Sequence, residues 1–64
     1  MTYTQEIQKQ LENGDQFANE LNGWATCNNP SQNLRMIMMP NGENKFYKDM
    51  KSYAKRVAQL INRG

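Results

Sequence analysis

Five basic residues fall in one short stretch: Lys48, Lys51, Lys55, Arg56 and Arg63. The three lysines are three and four residues apart, so a helix would line them up beside Ser52 and Gln59. Cations with hydroxyl and amide neighbours are the groups that contact nucleic-acid phosphates. Other chemistry is sparse. The chain has no histidine, so the usual general base near neutral pH is missing. Cys27 is the one cysteine and has no obvious activating partner. Without histidine, one thiolate does not make a four-ligand zinc site. Glu12 with Asp15, and Glu43 with Asp49, read as solvated carboxylates of helices and turns. Gly14, Gly23, Gly42 and Gly64 are scattered and form no phosphate loop. No catalytic residue, metal ligand or cofactor site is therefore expected, and neither is an enzyme.

The elements that must carry these residues follow from hydrophobic spacing. Ile7, Leu11, Gly14, Ala18, Leu21 and Ala25 recur every three or four positions, the period of one helical stripe. Thr2 or Thr4 can cap its start. Gly14 can end a first helix, with Asp15 capping a second. The stripe keeps its phase across Gly14, which favours one helix running to Asn22-Gly23, with Gly14 leaving room for a close neighbour. A second stripe of Met50, Tyr53, Val57 and Leu60, widened by Ala54, Ala58 and Ile61, predicts a helix from about Asp49, its N-cap, to Asn62. Between the helices, Trp24–Asn33 reads mostly as connection, with "WATC" a candidate third strand.

Leu34 to Tyr47, "LRMIMMPNGENKFY", reads as a β-hairpin around Asn41-Gly42. With a two-residue turn, Ile37 opposes Phe46 and Met36 opposes Tyr47. One face then carries Ile37, Met39 and Phe46, and the other Leu34, Met36, Met38 and Tyr47. A longer loop shifts the pairing but leaves apolar groups on both faces. Either the two helices clamp the hairpin, or one apolar face is open. The expected fold is α+β, a small single α-β-β-α domain over residues 1–64. It has an N-terminal helix, an Asn-Gly hairpin with room for a third short strand, and a C-terminal helix packed on the sheet.

A 64-residue domain buries only about 60% of its unfolded surface and usually needs a disulfide, a metal, very good helix packing or self-association. Here the last two remain. The lone cysteine and the lack of a charged-then-apolar leader suit the cytoplasm. No apolar run approaches the ~20 residues that span a bilayer, so no membrane partner is expected. Charge is uneven: residues 1–24 carry a net −3 and residues 25–64 a net +5. Nine Asn and six Gln, with the Lys bias, resemble proteins of AT-rich genomes, many phages among them.

Two functions fit these features. The first is a small non-enzymatic protein-binding module. Its sharper form is a phage or mobile-element inhibitor or regulator that blocks a surface of a larger host or defence protein or complex, in the host cytoplasm. Trp24, Ile37, Met39 and Phe46 would make contact, with Arg35, Lys45 and Lys48 as a charged rim. The second is a small nucleic-acid-binding protein contacting phosphates through Lys48, Lys51, Lys55, Arg56 and Arg63. "KSYAKRVAQLI", Lys51 to Ile61, resembles the last helix of double-stranded-RNA-binding domains over about eleven residues. That resemblance implies a Lys-rich helix start against phosphates. The long strands of that family, and its glycine-containing loop before the helix, are absent or cramped here. A homo-oligomer is compatible with both functions.

Overall fold

The computed structural model describes residues 3–63, with side chains through residue 62. Helix α1 spans Tyr3–Glu12 and buries Ile7 and Leu11, one turn apart. It ends at Gly14, not near Gly23. The Asp15 N–H reaches back to the Gln10 carbonyl (3.0 Å) and the Gly14 N–H to the Leu11 carbonyl (3.0 Å). This paired closure needs a left-handed residue, and Gly14 supplies it at φ +92°. A Cβ at Gly14 would meet nothing within 4 Å, so the glycine serves backbone conformation, not close packing. The continuous helical stripe is thus a coincidence of spacing. Ala18 lies in a strand and Leu21 is 96% exposed. Thr2, a capping candidate, lies outside the described residues.

Four strands follow: β1 (Ala18–Asn19), β2 (Trp24–Asn29), β3 (Leu34–Met38) and β4 (Asn44–Phe46). They form an antiparallel meander in the order β1-β2-β3-β4. The candidate strand at "WATC" is therefore real and longer than expected, and β1 joins it. Strand β2 turns Trp24, Thr26 and Asn28 inward, alternating with half-buried Ala25, Cys27 and Asn29. Two of those inward residues are polar, and each is hydrogen-bonded by groups distant in sequence, with the Asn28 side-chain oxygen left without a partner among the described residues. Thr26 Oγ1 accepts from the Phe17 N–H (2.9 Å) and donates to Gln16 Oε1 (3.0 Å). Asn28 donates its side-chain amide to the Leu11 carbonyl and its backbone N–H to Gln16 Oε1 (2.9 Å). Gln16 and Asn28 thereby tie the end of α1 to the sheet.

The β3–β4 hairpin has a three-residue loop, not a two-residue turn. The Gly42 N–H donates to the Met39 carbonyl (3.0 Å), and the Met39 N–H to the Glu43 carbonyl (2.8 Å). Gly42 takes the left-handed conformation at φ +89°, as such loops require. The register becomes Met36↔Phe46, Ile37↔Lys45 and Met38↔Asn44. Relative to the two-residue expectation, Phe46 and Tyr47 exchange faces, because a one-residue slip inverts every side chain.

Helix α2 spans Met50–Arg63. Asp49 caps it, its carboxylate accepting from the Ser52 N–H (3.0 Å). This bond holds the Asp49 carboxyl below its usual value. The helix buries Tyr53, Ala54, Val57, Ala58 and Leu60 against Ile7, Leu11, Trp24 and Ile37. Both helices therefore cover the same side of the sheet. The Cα trace extends 16 Å along its shortest axis, the depth of one helix layer on one sheet. The helices do not clamp the hairpin.

Candidate functional site

Residues directly opposite in an antiparallel pair share a face, and alternate residues along a strand return to it. The helix-covered side holds Trp24, Thr26, Asn28 and Ile37, all buried. The other side carries three cross-strand rows: Cys27, Met36 and Phe46; Ala18, Ala25, Met38 and Asn44; Asn29 and Leu34. None of these nine is Asp, Glu, Lys or Arg, although the chain has eight basic and six acidic residues. The polar pair, Asn29 and Asn44, lies at the margin, one at the end of β2 and one on the edge strand. Phe46 is 67% exposed and Met38 43%. Cys27, Leu34 and Met36 are half-buried. The helices leave this uncharged face open.

Strand β3 is held so that its methionines point this way. The Tyr53 hydroxyl donates to the Met36 carbonyl (2.8 Å), anchoring the strand to α2. Burial pushes the Tyr53 phenol up to about 12. The Tyr47 ring sits beside it, centroids 5.5 Å apart and tilted by 48°. With Tyr47 and Ile37 inward, Met36, Met38 and Phe46 face outward.

The residues singled out in the sequence divide between core and surface. Ile37 is wholly buried and Trp24 nearly so, its indole N–H without a partner among the described residues. Met39 is partly buried against the same core. The Arg35 guanidinium donates to the carbonyls of Tyr47 (3.2 Å) and Lys48 (2.6 Å), tying the end of β4 to β3. Lys45 pairs with Glu43 at 3.3 Å, both more than half exposed, a geometry that contributes little. Lys48 is exposed. Of the apolar four, Phe46 alone lies on the open face. Cys27, Leu34, Met36 and Met38 complete the face and were not among the expected contacts. The signal for them was present in the unbroken Met36–Met39 run, but the loop length decides which half points out.

The basic set is partly assembled. Lys48, Lys51 and Lys55 are exposed, and among the described residues none has a carboxylate within 4 Å. Arg56 is half-buried and donates to Gln59 Oε1 (3.2 Å). The Arg63 side chain lies outside the described residues. No cluster of three or more His, Cys, Asp or Glu able to hold a metal occurs among the described residues. A cleft of about 200 Å³ is lined by Asn22, Trp24, Met39, Pro40, Arg56 and Leu60, which include no nucleophile and no general base. No helix among the described residues is long and apolar enough to cross a membrane. Comparison with protein-family models, with curated proteins and with solved structures finds no match.

Proposed function

We propose that this chain is a small non-enzymatic protein-binding module that seats an apolar patch of a larger protein on its open sheet face. The observation that carries the reading is the absence of charge from nine paired sheet positions in a chain that has fourteen charged residues elsewhere. Met36 and Met38 supply flexible, polarizable contacts, and Phe46 supplies a large aromatic one. Burying each contributes roughly 1.5–3 kcal/mol when complete. With no catalytic set beside the face, the effect of docking is to occupy the partner's surface. A phage or mobile-element inhibitor or regulator of a larger host or defence protein, acting in the host cytoplasm, is the role this chemistry would serve.

Nucleic-acid binding remains the second reading, supported by the three exposed lysines that lack carboxylate partners. With Arg56 they offer about four phosphate contacts, and a log–log salt slope of roughly −3 to −4 on duplex DNA.

Affinity capture from native host lysate separates the two. The wild-type chain should retain a protein after nuclease treatment. Met38→Lys and Phe46→Lys should lose that protein, while Lys51→Gln with Lys55→Gln should keep it. The reverse pattern, with loss on nuclease treatment, would replace the first reading with the second.

A further inference from the structure

We infer that Asn41 is a site of self-modification, where the chain converts its own asparagine to aspartate and isoaspartate with water as the sole co-reactant. The main-chain nitrogen of Gly42 attacks Cγ of the Asn41 side-chain amide. A new N–C bond closes a succinimide ring, and the bond from Cγ to the side-chain nitrogen breaks. That nitrogen leaves as ammonia, carrying the proton that the Gly42 nitrogen loses. Water then opens the ring at either carbonyl, and no electrons are gained or lost. Opening one way leaves aspartate. Opening the other way routes the main chain through the side chain, as isoaspartate.

A following glycine favours this attack, because it has no Cβ to crowd the attacking nitrogen. The chain contains three such pairs: Asn13-Gly14, Asn22-Gly23 and Asn41-Gly42. By sequence they are equivalent, and the fold separates them.

At Asn41 the reacting groups are gathered. The Glu43 N–H donates to Asn41 Oδ1 (3.0 Å), a side-chain turn that folds the amide back along Gly42. Holding the two reacting groups together raises the rate of their encounter. The same N–H points at the oxygen that gains negative charge during attack, and so stabilises it. One bond opposes the reaction, since the Gly42 N–H donates to the Met39 carbonyl (3.0 Å). Asn41, Gly42 and Glu43 are all exposed at a loop tip, where such local opening costs least.

The other two pairs are held more firmly. The Gly14 N–H donates to the Leu11 carbonyl beside the bond from Asp15 to Gln10, so freeing it unwinds the end of α1. The Gly23 N–H donates to the Asn19 carbonyl (2.7 Å), and the Asn22 N–H to Asn19 Oδ1 (3.0 Å). Pro40 also stands against Gly23, where an added Cβ would come within 3.3 Å of the proline ring.

The product differs at the hairpin. Either form places a new carboxylate two residues from Glu43 and lowers the net charge of +2 by one. Isoaspartate also adds a methylene to the main chain of the loop joining β3 and β4, which sets the face that Phe46 takes. The inference needs no partner and stands apart from the docking reading.

The test uses the wild-type chain, folded, at mildly alkaline pH in water enriched in heavy oxygen. Each event replaces the side-chain nitrogen with a heavy oxygen, and peptide mapping by mass spectrometry locates it. Asn41 should take up label several-fold faster than Asn13 and Asn22. In urea the three rates should converge, because each asparagine then has a free glycine after it. Labelling at Asn41 no faster than at either other site in the folded chain would overturn the inference. So would the same order of rates persisting in urea, since the fold would then play no part.

Discussion

Phe46 and Tyr47 are neighbours on an extended chain and so point to opposite sides of the sheet, and the three-residue loop makes Phe46 the one that faces out. Phe46→Ala, Tyr47→Ala and Ile37→Ala therefore should not cost alike. Ile37 is wholly buried in the centre of the core, and its truncation should cost about 2–5 kcal/mol. A domain of 64 residues has a total of roughly 3–10 kcal/mol, so Ile37→Ala should leave the chain marginal or unfolded at room temperature. Phe46 is 67% exposed, so only about a third of a full burial of roughly 1.5–3 kcal/mol is at stake. The expected loss is about 0.5–1 kcal/mol, a melting-temperature drop of roughly 2–8 °C for a domain this small. Tyr47 packs against the core and the Tyr53 ring, so Tyr47→Ala should fall between the two. Thermal and urea melts followed by far-ultraviolet circular dichroism measure all three. A Phe46→Ala loss matching that of Ile37→Ala, or exceeding that of Tyr47→Ala, would refute the register and with it the assignment of the open face.

Gly14→Ala should destabilise by about 1–2 kcal/mol in denaturant melts, because φ is +92° and space is no obstacle. An unfolded phenol titrates near 10 and the buried Tyr53 near 12. In that window the unfolded chain binds fewer protons, so stability is complete below pH 10 and falls by about 1.4 kcal/mol per pH unit up to pH 12. Tyr53→Phe should flatten that alkaline limb. Asp49→Ala should lower the melting temperature at neutral pH. The difference should disappear in acid, as pH falls through the depressed pKa of the cap, which lies below its usual 3.8.

Local rules made much of this fold legible. Helix α2 and its Asp49 cap followed from a 3.6-residue stripe behind a capping residue, and the hairpin's place followed from Asn41-Gly42. The end of α1 did not, because Leu11, Ala18, Leu21 and Ala25 keep helical phase across a glycine that stops the helix. Strand β2 was hidden because Thr26 and Asn28 point inward, and the groups that hydrogen-bond them, Gln16 and the Leu11 carbonyl, are distant in sequence. The loop length turned on competing turn chemistries around "PNG". Pro40 is suited to the second position of a turn closed by Gly42, and that arrangement prevailed over Asn41-Gly42 as a two-residue turn. Of the expected contact residues, Phe46 lies on the open face, whereas Trp24 and Ile37 lie in the core. Two-sided apolarity was readable, but its division between the sides was not.

The loop Pro40–Gly42 has a consequence for how such a chain can change through descent. Replacing Pro40 so that Asn41-Gly42 closes a two-residue turn would set position 40 opposite Glu43 and swap Phe46 for Tyr47 at the surface, with no strand residue gained or lost. A mutation of that kind rewrites the exposed face in a single step, where substitutions on the strands themselves would have to proceed one side chain at a time. Changes of turn type at this loop are therefore the quickest route by which relatives of this chain would acquire a different contact surface on the same scaffold.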